Sequence, residues 1–282
     1  EQKRAHVPDG RRMTATPIPR TMTLTVYGDL DVSLIRELPP GRQPIRTFVR
    51  RPDRRPLIYQ YVRSQIEAGR QAYVVCPLIE MNEESDLPSV EEVYDELRYG
   101  IFRGIPCGLV HGRLAPAEKE RVMQDFYADK IKLLVSTTVI EVGVNVPNAS
   151  IMVIEHAERF GLAQLHQLRG RIGRGSYASY CILVSEGKTE NARERLRIMA
   201  TVSDGFELAE EDLRLRGPGQ FFGSMQHGLP DLKIARVPED ISILLEAHKA
   251  AEATLTSQGD LDFIRPILAL QYKERFQHIM EN

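Results

Sequence analysis

Gln164, Gln167, Arg171 and Arg174 recur at i, i+3, i+7 and i+10 inside LAQLHQLRGRIGRGSYASYCILVS, residues 162–185. On a helix this spacing makes one polar stripe beside an apolar one of Leu165, Leu168 and Ile172, so one face packs and the other presents donors. Two arginines at i, i+3 repel each other unless an anion sits between or above them, and an oligophosphate answers that need. Gly170 and Gly173 each precede an arginine, and their missing β-carbons admit a bulky ligand or a facing domain. A basic helix end in solvent is the plainer alternative.

Other chemistry-bearing residues follow strand-like runs. His111-Gly112-Arg113 closes one run, with His111 either a phosphate-backbone contact or a half-buried turn histidine. Ser136-Thr137-Thr138 closes another, and its hydroxyls and amides suit a phosphate or a helix start. The acidic stretch Glu83–Asp86 reads as solvated, not metal-binding. Gly187-Lys188-Thr189 imitates the end of a phosphate loop, but Ile182 stands where its first glycine belongs, so a turn and helix start is expected. No GxxxxGK[ST] and no Asp-Glu-x-His or Asp-Glu-x-Asp occurs anywhere. Cys76, Cys107 and Cys181 lie in apolar runs without a C-x-x-C pair and read as buried free thiols.

QLRGRIGRG resembles the sixth motif of superfamily 2 helicases, whose pattern is matched at Gln167, Gly170, Arg171, Gly173 and Arg174. The resemblance implies that Arg171 and Arg174 are arginine fingers toward ATP, with Gln167 and Gly170 in the same site. LLVSTTVIEVGVNVPNAS, residues 133–150, resembles the fifth motif. There Thr137 and Thr138 would meet a DNA phosphate, while Glu141, Gly143 and Asn145 would serve the nucleotide. Asn145 departs from the aspartate usual at that place and accepts a ribose hydrogen bond without charge assistance.

Thr14-Ala15-Thr16 followed by PIPRTMTLTVYGDLDVSLIRELPPGR resembles the third motif and narrows the likeness to the RecG branch. DGFELAEEDLRLRGPGQFFGSMQHGLPDL, from Asp204, is similar to that branch's translocation motif, which implies coupling roles for Arg214, Arg216, Gly217, Gln220 and Gln226 beside Thr14 and Thr16. The resemblance implies the second motor lobe of a DNA translocase that unwinds and regresses branched double-stranded DNA. ATP and Mg2+ would be held mainly by a first lobe outside this chain, and branch recognition by an N-terminal wedge domain. A monomer in the bacterial cytoplasm, associated with the nucleoid, is the expected state. A transcription-repair coupling translocase and a non-catalytic nucleic-acid-binding module are the alternatives.

The elements that must position these residues alternate. Strands are expected at 45–49, 71–78, 108–110, 131–135, 151–154 and 181–184, with helices at 54–68, from Ser89 to Tyr99, and after Pro116. Strand runs apolar throughout belong in a parallel sheet covered on both faces, here of the RecA-like α/β kind. Ligands in such sheets bind beyond the carboxyl ends of the strands, so His111, Thr137 and the arginines should share one rim. Further helices are expected at 190–202 and 206–216, the latter stopped by Gly217-Pro218-Gly219. Arg193 and Arg197 share a face that is either solvated or tracks duplex phosphates. Two amphipathic helices, 240–253 and 263–280, would close the chain. The expected division is 1–44 as the tail of a first lobe and linker, 45–187 as the lobe, and 188–282 as a helical region.

With 282 residues, 42% of them hydrophobic and 27% charged, the chain has room for one α/β domain and a smaller unit. Its net charge of −2 restricts any nucleic-acid contact to a local groove. No apolar run approaches the length of a membrane span, and EQKRAHVPDGRR is not a signal-peptide pattern.

Overall fold

The computed structural model describes residues 44–78, 88–137 and 146–222, with a few single positions between 246 and 266. Thr14, Thr16, Thr138, Glu141, Gly143, Asn145 and Gln226 lie outside the described residues, as do the 83–86 loop and nearly all of the two C-terminal helices. The chain divides into two compact units, and after Ser33 the boundary falls between Leu215 and Arg216. The sheet belongs to the first.

Six strands form it: β1 (Ile45–Arg50), β2 (Gln71–Val75), β3 (Cys107–Val110), β4 (Leu133–Ser136), β5 (Ala149–Ile154) and β6 (Ser179–Val184). They are parallel throughout, in the order β1-β6-β5-β2-β4-β3. The central strands β2 and β5 are buried at every position, which is why their sequences show no polar alternation.

Helices cover both faces. On one, α1 (Arg55–Glu67) and α2 (Val90–Tyr99) bring Ile58, Tyr59, Val62, Val90 and Leu97 onto Val74, Val135 and Val153. On the other, α3 (Pro116–Tyr127), α4 (Leu162–Arg169), α5 (Glu190–Thr201) and α6 (Gly205–Phe222) pack Phe126, Leu165, Leu196 and Leu208 around Tyr73, Met152 and Leu183. Local chemistry sets several starts. Ser89 Oγ accepts from the Glu92 amide at 3.2 Å while Glu92 Oε2 accepts from the Ser89 amide at 2.7 Å, a reciprocal cap. Thr189 caps α5 by accepting from the Ala192 amide at 3.2 Å, so Gly187-Lys188-Thr189 is the expected turn and helix start.

Three expectations need correction. The 206–216 helix is not stopped at Gly217-Pro218-Gly219, because α6 runs through to Phe222. Proline already holds a helical φ, and its missing N–H deprives a single carbonyl, that of Arg214. Cys107 is half-buried, unlike Cys76 and Cys181, and all three are free thiols. Burial pushes Cys76 and Cys181 up to about 12 and Cys107 up to about 11, which leaves none a nucleophile at neutral pH. Tyr180, whose place at a strand start predicts the core, instead lines a groove of about 660 Å3 with Phe48, Leu57 and Tyr61. Among the described residues no helix is long and apolar enough to cross a membrane.

Candidate functional site

The arginine motif is not one long helix. Helix α4 ends at Arg169 with Gly170 as its cap, and Gly173 takes φ +74°, a left-handed conformation that strains an L side chain and breaks the stripe. Gln164 also leaves the stripe, because its Oε1 accepts from the Gly161 amide at 3.0 Å and closes the helix start. Gln167 is exposed on the helix, while Arg171 and Arg174 stand on the following loop, Arg171 half-buried and Arg174 exposed. The role of Gly173 is thus conformational. The close approach belongs to Gly175, where a β-carbon would lie 2.3 Å from the Pro147 carbonyl oxygen.

This loop is pinned from behind. Arg169 is 5% exposed, and its guanidinium donates to the carbonyls of Met199 at 2.9 Å, Val202 at 3.0 Å and Ser203 at 3.2 Å. It therefore joins the end of α4 to the end of α5 immediately before the arginine loop. Arg174 Nε donates to the Gly170 carbonyl at 3.2 Å, a cation at a helix C-terminus. Among the described residues neither Arg171 nor Arg174 has a carboxylate partner. Both guanidiniums act on one buried phenol: burial pushes Tyr73 up to about 12, while Arg171 and Arg174 pull it the other way. Two cations close enough to affect one hydroxyl, without a carboxylate partner among those residues, form a local excess of positive charge whose chemistry suits an anion.

The expected single rim is corrected to two edges. The loop of Arg171 and Arg174 leads into the start of β6, so it lies at the amino edge of the parallel sheet. Gly175 touches Pro147 just before β5, and Tyr177 stacks with Arg70 just before β2, which places all three segments at that edge. His111 and Thr137 follow β3 and β4 at the carboxyl edge, where the Thr137 amide donates to the Val110 carbonyl at 3.2 Å. Strands of four to six residues put about 13–20 Å between the edges.

At the carboxyl edge His111 is 9% exposed and Thr137 3%. Among the described residues His111 Nδ1, Thr137 Oγ1, Ser136 Oγ and Glu91 Oε2 are buried without a hydrogen-bond partner. Four such atoms in one place call for a ligand or water, since buried polar groups are otherwise satisfied. Glu91 Oε1 accepts from Arg113 Nη2 at 2.8 Å and lies 3.8 Å from His111 Nε2, so a carboxylate already stands against two of the predicted phosphate ligands. Gly112 is exposed and its carbonyl accepts from Lys119 Nζ at 2.9 Å. Beside this edge Glu155, 4% exposed, accepts from Arg55 Nη2 at 2.7 Å and Tyr59 Oη at 2.6 Å, tying α1 to the end of β5.

Arg214 pairs with Glu211 at 2.8 Å and Glu194 at 3.4 Å, and Glu194 also holds Arg197 at 2.8 Å. These exposed pairs are worth little in stability and compete only weakly with a phosphate. Arg216, Gly217 and Gln220 lie on the last turns of α6, and the side chains of Arg216 and Gln220 are outside the described residues. Arg169, Glu155 and Glu91 were missed by pattern reading, because a charged residue carries no mark of burial in one sequence. Among the described residues no group of three or more His, Cys, Asp or Glu could hold a metal ion.

A family model described as the helicase conserved C-terminal domain matches residues 54–176, which span β2 to β5 and the arginine loop. The fold and its two edges thus define a helicase C-terminal lobe. A second model, ATP-dependent DNA helicase RecG, domain 3, C-terminal, matches residues 202–278. The ATP-dependent DNA helicase RecG of Synechocystis sp. is 50% identical over 277 residues, 98% of this chain and 33% of its own length. That of Bacillus subtilis is 51% identical over 253 residues, 89% and 37% respectively. A solved structure of RecG bound to a three-way DNA junction matches with TM-score 0.64 and 49% identity, covering 82% of this chain and 30% of that one. The chain belongs to the RecG family, and it spans about a third of the length of the curated relatives it matches.

Proposed function

We propose that this chain is the C-terminal motor half of an ATP-dependent helicase that translocates on double-stranded, branched DNA. The observation that carries the reading is the pair of guanidiniums, Arg171 and Arg174, on a pinned loop with no carboxylate partner among the described residues. Support comes from relatives named ATP-dependent DNA helicases and from a RecG solved on a three-way junction. Residues 45–187 would be the second lobe and 188–282 the helical coupling region, with action in the bacterial cytoplasm.

Negative charge spreads over the γ-phosphoryl oxygens as phosphoryl transfer proceeds. Two always-protonated forks at the amino edge would lower the energy of that charge more than of the ground state. Magnesium-bound ATP supplies the phosphoryl group, and its metal and phosphates would be held mainly by the first lobe. Gln167, Gly170, Glu141, Gly143 and Asn145 would border the nucleotide. At the opposite edge His111, Gly112, Arg113, Thr137 and Thr138 would meet a DNA phosphate. Since the edges stand about 13–20 Å apart, a rigid sheet must carry the coupling between them. Arg214, Arg216, Gly217, Gln220 and Gln226, with Thr14 and Thr16, would pass lobe closure to the DNA.

Two expected results test this assignment. The isolated chain hydrolyses no ATP with or without junction DNA, because it lacks a phosphate loop; measurable DNA-stimulated phosphate release would contradict the reading. Thr137→Val removes a buried hydroxyl that has no partner among the described residues. It should leave the chain as stable or up to about 1 kcal/mol more stable. In the intact protein it should weaken junction binding about tenfold or more, a hydrogen bond to a charged group being worth about 1.5–3 kcal/mol. Denaturant melts and fluorescence anisotropy read the two effects separately, and unchanged binding would remove Thr137 from the DNA edge.

A further inference from the structure

Tyr177 stands three residues beyond Arg174, so chain length alone keeps the two Cα atoms within about 11 Å. Its side chain is 46% exposed, although Arg70 lays its guanidinium on the ring 3.1 Å from the centroid. Arg70 is itself held, its Nη1 donating to Asn148 Oδ1 at 3.1 Å, and Asn148 Nδ2 donates to the Gly69 carbonyl at 2.7 Å. Gly175 closes the same circle against Pro147. Segments preceding β2, β5 and β6 therefore converge on one aromatic ring at the amino edge.

This packing does not bury the ring; it fixes the ring's position. Arg70 covers one face, so the remaining exposure belongs to the other face and the rim. A braced ring face beside two phosphate-seeking arginines suits a planar heteroaromatic joined to phosphates. We propose that Tyr177, braced by Arg70, is the platform on which the base of the bound nucleotide stacks. The inference rests on the reading of Arg171 and Arg174 as phosphate-facing groups. It adds a contact that the arginines do not make: they address charge, and Tyr177 addresses the base. A ring face carries no hydrogen-bond donors, so the platform contributes affinity without reading the edges of the base.

Calorimetric titration of the intact protein with ADP and with inorganic tripolyphosphate separates the two contacts. Tyr177→Leu should weaken ADP binding about tenfold and leave tripolyphosphate binding unchanged, and Tyr177→Phe should preserve both. In steady-state hydrolysis the KM for ATP should rise by a similar factor while kcat is held. Unchanged ADP affinity in Tyr177→Leu overturns the proposal, and so does equal weakening of ADP and tripolyphosphate, which would signal collapse of the loop. If Tyr177→Leu does not fold, Arg70→Gln carries the same comparison, with loss of ADP affinity alone as the supporting result and unchanged or equal affinities overturning it. Arg171→Ala measured in parallel keeps the two readings distinct: full turnover there refutes the arginine assignment and the platform with it, whereas lost turnover with ADP affinity unaffected by Tyr177→Leu refutes the platform alone.

Discussion

Arg171→Ala in the intact protein is expected to lower DNA-stimulated ATP turnover by about 10³ to 10⁵, equivalent to roughly 4–7 kcal/mol of barrier. Junction binding should change by less than about threefold, because Arg171 lies at the amino edge and the proposed DNA contacts lie at the other. Stability should move by less than about 0.5 kcal/mol, as this half-buried guanidinium has no carboxylate partner among the described residues. Arg171→Lys should not rescue turnover, since a point charge cannot reproduce the planar fork. Phosphate-release kinetics and anisotropy on a three-way junction decide the matter. Equal loss of turnover and DNA binding would make the arginine a DNA ligand and sink the assignment.

Arg169→Ala should differ by destabilising the fold itself, with a loss of about 3 kcal/mol in unfolding free energy. The side chain is buried and its three donated bonds run to carbonyls at the end of α5 and just beyond it. Truncation leaves those acceptors without their charged donor and opens space between α4 and α5. Turnover should fall as well, because the loop bearing Arg171 begins one residue after Arg169. Urea denaturation of this chain beside its Arg171→Ala form is the direct comparison. A loss below about 1 kcal/mol would show that water replaces the guanidinium, and the claim that Arg169 anchors the Arg171 loop would fail. The two arginines of LRGR, on either side of Gly170, would thus carry separable duties, one structural and one chemical.

The order of strands and helices was legible in the residues because its signals are local. Unbroken apolar runs such as AYVVC and LLV mark strands covered on both faces, and all six expected strands are present with no end shifted by more than three residues. Ser89 with Glu92 and Thr189 with Ala192 are side-chain to backbone contacts three residues apart, so a linear chain displays them openly. The paired positive charge of Arg171 and Arg174 was legible for a similar reason: residue type and short spacing define a paired cation wherever the chain runs.

Other features depended on the meeting of distant segments. A helical stripe through Gln164, Gln167, Arg171 and Arg174 is a valid reading of periodicity, yet the left-handed turn at Gly173 and the contact of Gly175 with Pro147 end it. The single rim failed because a candidate that follows a strand and one that precedes a strand sit at opposite ends of a parallel sheet. The burial of Arg169, Glu155 and Glu91 was equally hidden, since whether a charge meets water or a partner 20 to 100 residues away is a property of three-dimensional packing. Residue type and local rhythm set which chemistry is possible and which segments become strands. The direction in which each segment enters the sheet, and the atoms it meets there, set where that chemistry is placed.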